Sequence, residues 1–77
     1  MRFLIVVEKA KSGYSAYSPD LPGCVATGST RPAAVARMRA AIRFHLEGMR
    51  AEGHRVPPPK AFSTYIEIEQ PGTSVTK

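Results

Sequence analysis

The run Tyr17-Ser18-Pro19-Asp20-Leu21-Pro22-Gly23-Cys24 constrains this chain more than any other stretch. Two prolines bracket Asp20-Leu21, so the backbone there has few accessible states and few free donors. Gly23 then permits a positive-φ exit into the short apolar run Cys24-Val25-Ala26. The result is a rigid turn between two β-like segments. Periodicity alone leaves open whether it is a structural corner or a contact surface.

The flanking segments read as follows. In residues 2–9, Phe3, Ile5 and Val7 alternate with Arg2, Leu4, Val6 and Glu8. Both sets are largely apolar, which predicts a strand central in its sheet. Lys11-Ser12-Gly13 is a turn signal, residues 14–18 read as the returning strand of a hairpin, and residues 24–27 as a third short strand. Thr30 is a good N-cap, and Pro32 falls in the first helical turn, where its missing donor costs nothing. The pattern predicts a helix over residues 31–51 with Gly53 at C′. Its apolar arc holds Ala34, Val35, Met38, Ala41, Ile42, Leu46 and Met49. Pro57-Pro58-Pro59 is a stiff extended connector. Beyond it, residues 62–69 alternate Phe62, Thr64, Ile66 and Ile68, expected inward, with Ser63, Tyr65, Glu67 and Glu69, expected outward.

These elements predict an α+β fold of order β-β-β-α-β: a small sheet with one long helix across one face. The final crossover should be right-handed. The opposite face would then show Leu4, Val6 and Tyr65 as an apolar patch. Residues 1–70 form one domain in this reading, and residues 71–77 form a mobile tail with nothing to bury.

A chain of 77 residues buries only about 60–65% of its unfolded surface. Self-association, to a dimer at least, is the expected remedy. A single cysteine, Cys24, excludes an intrachain disulfide and suits a reducing cytoplasm. The apolar run at residues 3–7 is far too short for a signal sequence, and no stretch is long enough to span a membrane. The net charge of +5 suits an acidic partner or nucleic acid. The charges are not interleaved with stacking aromatics, however, which favours a solvated basic surface.

Five groups of residues bear on chemistry. Phe44 projects well away from the centre of the helix's apolar stripe, as an interface anchor would. Arg39, Arg43 and Arg50 share a narrow arc beside the stripe. They form a candidate nucleic-acid shoulder, or a solvated edge partly neutralised by Glu47 at i+4 from Arg43. His45 sits at the edge of the apolar arc and His54 in the turn after the helix, without ligand spacing for a metal. The acids Glu8, Asp20, Glu47, Glu52, Glu67 and Glu69 form no evident converging set. Neither Cys24 nor Ser12, Ser15 or Ser18 has a convincing base beside it. No enzymatic activity, metal or cofactor is expected.

The corner, followed by Gly28-Ser29-Thr30, resembles the core of HicB-family antitoxins. So does His45-Leu46-Glu47-Gly48 followed by Glu52-Gly53 and Val56-Pro57, and with Gly13-Tyr14 the likeness spans residues 2–68. The resemblance implies a reduced RNase H-like fold. It also implies a cytoplasmic antitoxin that binds and neutralises a small HicA-type ribonuclease toxin. The candidate partner-binding residues are Pro19, Asp20, Leu21, Pro22, Gly23, Cys24 and Phe44. Asp20 would offer a carboxylate to a basic partner, and Leu21 and Pro22 apolar contact. Many members add a C-terminal helix-turn-helix or ribbon-helix-helix domain, and this sequence ends shortly after the last expected strand. Direct DNA binding is therefore not expected. The alternatives are a basic nucleic-acid-binding module and a stand-alone oligomeric structural domain without a toxin.

Overall fold

Gly13 makes the first chain reversal. Its φ of +80° lies where only glycine is unstrained, and Ala10 N–H donates to its carbonyl at 2.9 Å. The turn joins β1 (Val6–Lys9) to β2 (Tyr14–Tyr17). β3 (Val25–Gly28) follows, and β2 pairs antiparallel with both neighbours. The register places Ala16 opposite Val7 on one side and Ala26 on the other, a small-residue row that lets a helix approach closely. The computed structural model describes residues 1–70, and the expected tail at 71–77 lies outside them.

Helix α1 (Arg31–Ala51) begins and ends as its sequence dictates. The Thr30 hydroxyl accepts the Ala33 N–H at 3.2 Å, satisfying one orphan donor of the first turn. At the far end Gly53 takes φ +78°. Its N–H donates to Arg50 C=O at 3.0 Å, and that of His54 to Met49 C=O at 2.8 Å, the Schellman pattern. Between the caps the helix crosses the sheet. Met38 and Ala34 are fully buried. Met38 joins Ala16, Leu21 and Cys24 in the core, flanked by Phe3, Ile5, Val7, Ala26, Ala41, Ile42 and Leu46. Gly28 gives the closest approach: a Cβ there would stand 2.4 Å from Ala34 N.

Three strands and the helix agree with the sequence expectation, and the fourth strand does not. Residues 62–69 have no strand partner among the described residues. Phe62, Tyr65, Ile66 and Ile68 are 83%, 95%, 78% and 77% exposed, so the expected inward set of Phe62, Thr64, Ile66 and Ile68 faces solvent. The crossover that would have been right-handed is not closed. Whether such a segment joins a sheet edge is a long-range choice that alternation does not encode. Two consequences follow. β1, expected to be central, is an edge strand in the order β1-β2-β3. Leu4 and Val6, half-buried, are also not joined by Tyr65 into one patch. With the segment projecting, the molecule reaches 56 Å along its longest axis, against about 32 Å for a helix of this length.

Candidate functional site

The corner is two turns in series. Leu21 N–H donates to Ser18 C=O, and Cys24 N–H to Leu21 C=O, both at 3.1 Å. Pro19 and Pro22 each sit at the second turn position, where a fixed φ is suited. Gly23, with φ +83°, supplies the left-handed residue that the second turn needs. Ser18 is buried and its hydroxyl donates to Leu4 C=O at 2.8 Å, which ties the corner to the strand entering β1.

This geometry reassigns three of the corner residues. Leu21 is 1% exposed and Cys24 4%, so both hold the corner from inside the core; Leu21 offers no contact surface, and Cys24 only the sliver that lines the groove against α1. Burial pushes the Cys24 thiol above its ordinary pKa. Asp20 does not present a free carboxylate, since its Oδ2 accepts the N–H groups of Lys60 and Ala61, each at 3.0 Å. Pro19, Pro22 and Gly23 remain on the surface.

The exposed part of the corner meets the helix. Gly23, Cys24 and Val25 form one wall of a groove whose other wall is Ala41, Phe44, His45, Gly48, Met49 and Glu52. Phe44 is 79% exposed on its rim. The two regions singled out from sequence, the corner and Phe44, therefore share one concavity. Val25 was missed. It is 64% exposed and pairs with Tyr17 on the sheet face away from the helix, so apolar surface continues around the open edge of β3. Period-two geometry along Cys24-Val25-Ala26, which sets Val25 on the face opposite its neighbours, is the signal that could have found it.

A second groove lies on the opposite flank of the helix, beside β1. Phe3, Ile5, Val35, Ile42 and Leu46 line it together with Arg2, Arg39, Arg43 and Arg50. The predicted arginine arc is thus the rim of an apolar slot. Arg2 joins it from the other end of the chain, a contact with no local sequence signal. Glu47 does not reach ion-pair distance of Arg43. The ion pair found among the described residues is His54 Nε2 to Glu52 Oε1 at 3.3 Å, at the surface. Among the described residues no three His, Cys, Asp or Glu side chains converge as a metal site would require. No helix among them is long and apolar enough to cross a membrane.

The sequence profile described as the HicB-like antitoxin of bacterial toxin–antitoxin system matches residues 3–74. The chain belongs to the HicB-like antitoxin family. A protein of Haemophilus phage HP1, described as an uncharacterized 14.9 kDa protein in the rep-hol intergenic region, is 36% identical over 66 residues. That match covers 86% of this chain and 50% of the phage protein, so the chain spans half the length of that relative. The UPF0150 protein Ta0767 of Thermoplasma acidophilum is 29% identical over 58 residues, 74% of this chain and 84% of its own. Among solved structures, a chain of the HicA3 and HicB3 toxin-antitoxin complex superposes with a TM-score of 0.63 at 31% identity. It is covered over 72% of its length by 75% of this chain.

Proposed function

We propose that this HicB-like protein neutralises a HicA-type ribonuclease toxin in the cytoplasm by binding it, with the groove between the corner and Phe44 as the toxin-facing surface. The observation that carries the surface assignment is the exposed Phe44 ring beside a turn held by two prolines and two backbone hydrogen bonds. An aromatic anchor is the residue type that contributes most at interface centres. A prefolded corner loses little further freedom on binding. The family membership and the likeness to a chain of a toxin–antitoxin complex support the partner class. The antitoxin acts here by occlusion and contributes no catalytic group of its own. Since the chain is basic, apolar contact rather than long-range attraction would supply the affinity for a basic toxin.

The test is an RNA-cleavage assay with a purified HicA-type toxin. Cleavage should stop on adding the wild-type protein and persist with Phe44→Asp. Equal cleavage with and without the wild-type protein would refute the reading.

A further inference from the structure

Cations and aromatics that are not interleaved along the sequence are brought together by the fold. The flank of α1 that faces β1 carries positive charge from end to end. At the helix start, Lys9 and Arg31 stand over the ring of Tyr14, 5.5 and 5.8 Å from its centroid. Arg39, Arg43 and Arg50 follow within about 40° of arc at 3.6 residues per turn. Arg2 closes the far end, lining the same slot as Arg50. From Arg31 to Arg50 the stripe is about 28 Å long at about 1.5 Å per residue.

These six cations lack a carboxylate at ion-pair distance among the described residues. Glu8 is turned to the other face of β1, because Val7 and Lys9 share the helix side with Ala16 and Tyr14. Glu47, one helical turn beyond Arg43, does not reach it, and Glu52 pairs with His54. A row of like charges repels itself, and a polyanion laid along it removes that repulsion. Between the cations the surface is concave and apolar. Phe3, Ile5, Val35, Ile42 and Leu46 line a slot of about 510 Å³.

We propose that this flank binds single-stranded nucleic acid, with phosphates on the arginines and bases entering the apolar slot beside Phe3. The chemistry of the site separates this ligand from other polyanions. Guanidinium forks match phosphate oxygens, but a duplex keeps its bases paired inside and would leave the slot unfilled. A flat anionic membrane surface would meet the rim and not reach the floor. An unstacked strand offers both parts at once, a charged backbone and flat apolar rings. Over about 28 Å a strand with a charge every 3.4 Å or so presents about eight phosphates. The site needs no free sheet edge: Phe62 and Ser63 already stand across a cavity from Met1 to Ile5, whereas Arg39, Arg43 and Arg50 project from the exposed side of α1. It lies on the flank of α1 opposite the groove assigned to the toxin, and it does not rest on the antitoxin reading.

The experiment is fluorescence anisotropy of the full chain with end-labelled RNA and DNA of one mixed sequence, long enough to span the stripe, each as a single strand and as a duplex. The two single strands should bind alike, since both carry the phosphates, and each should bind better than its duplex. With about four phosphates neutralised, log K should fall against log salt with a slope of about −3, a loss of about fiftyfold between about 50 and 200 mM. Arg39→Ala/Arg43→Ala should weaken single-strand binding by about tenfold at low salt and reduce the slope by about half. Both side chains are exposed, so the fold should persist, as circular dichroism would verify. Arg55→Ala/Lys60→Ala removes the same charge from exposed positions off this flank and should leave the slope nearly unchanged. Equal losses from the two pairs would reduce the effect to net charge and overturn the site. So would an absence of binding at low salt, or a duplex bound as tightly as the single strands.

Discussion

The Asp20 carboxylate accepts the backbone N–H of Ala61 at 3.0 Å, although 41 residues separate the two. With the matching bond from Lys60, it staples the proline corner to the segment that follows the proline connector.

Removing that carboxylate should free the start of the 62–69 segment. For Asp20→Ala, two hydrogen bonds to a charged acceptor are lost at partly exposed donors, which costs about 1–2 kcal/mol. Asp20→Asn keeps an acceptor oxygen and should lose less. Amide exchange is the direct readout: Lys60 and Ala61 should exchange much faster in Asp20→Ala, with the α1 amides hardly changed. Unaltered exchange at those two positions would show that the staple does not form in solution.

That staple also marks where the sequence stopped being legible. Local rules sufficed for β1, β2, β3 and α1, because each carries its own signals: Gly13 for the turn, Thr30 and Gly53 for the helix ends, and the spacing of Met38, Ile42 and Leu46 for its buried face. What was misjudged depends on partners far along the chain. Asp20 looked like a free carboxylate because nothing local shows that residues 60 and 61 return to it. Leu21 looked like a contact residue because a Pro-flanked leucine in a turn is as compatible with burial as with exposure. The 62–69 alternation was read as a strand with one face inward, yet all eight residues are exposed and unpaired, because whether a segment joins a sheet edge is not written in its own residues. The Phe44 prominence was legible, since helical geometry alone sets it outside the buried stripe.

Two glycines should respond to alanine with opposite signs. At Gly28 a Cβ would stand 2.4 Å from Ala34 N and 2.8 Å from Ala33 C. These are backbone atoms at the helix entry that cannot rotate aside, so Gly28→Ala should cost about 1–3 kcal/mol. At Gly48, inside α1, a Cβ would meet nothing within 4 Å. There Gly48→Ala should add about 0.5–1 kcal/mol by helix propensity. Calorimetry on the two variants decides it, and a stable Gly28→Ala would disprove the tight contact between β3 and α1.

Cys24 should be chemically silent and should make stability fall at alkaline pH. Its thiol is buried and its pKa raised by desolvation, so alkylation in the native state should be far slower than in denaturant. The sign follows from linkage. Above the ordinary thiol pKa of about 8.5 the unfolded chain releases a proton that the folded chain still holds. The contribution is therefore complete below that pH and is lost as pH rises toward and through the folded value. The gap in urea midpoint between wild type and Cys24→Ala should narrow as pH rises above the ordinary thiol pKa. A constant gap between them would contradict the burial.

Phe44 and Met38 share one helix and should separate binding from folding. Met38 is fully buried in the core cluster, and Met38→Ala should lose about 2–5 kcal/mol through the cavity it leaves. Phe44 is 79% exposed, so Phe44→Ala should stay within about 0.5 kcal/mol of wild type. If the groove beside the corner is the toxin-facing surface, the same Phe44→Ala should weaken toxin binding by about 2 kcal/mol or more, some thirtyfold in Kd. Titration calorimetry against the toxin and urea unfolding of the free protein give the two numbers independently. Loss of binding with full stability would place the interface on this flank of the helix. Unchanged binding would move it to another surface, because a ring so exposed has no structural role through which to act indirectly.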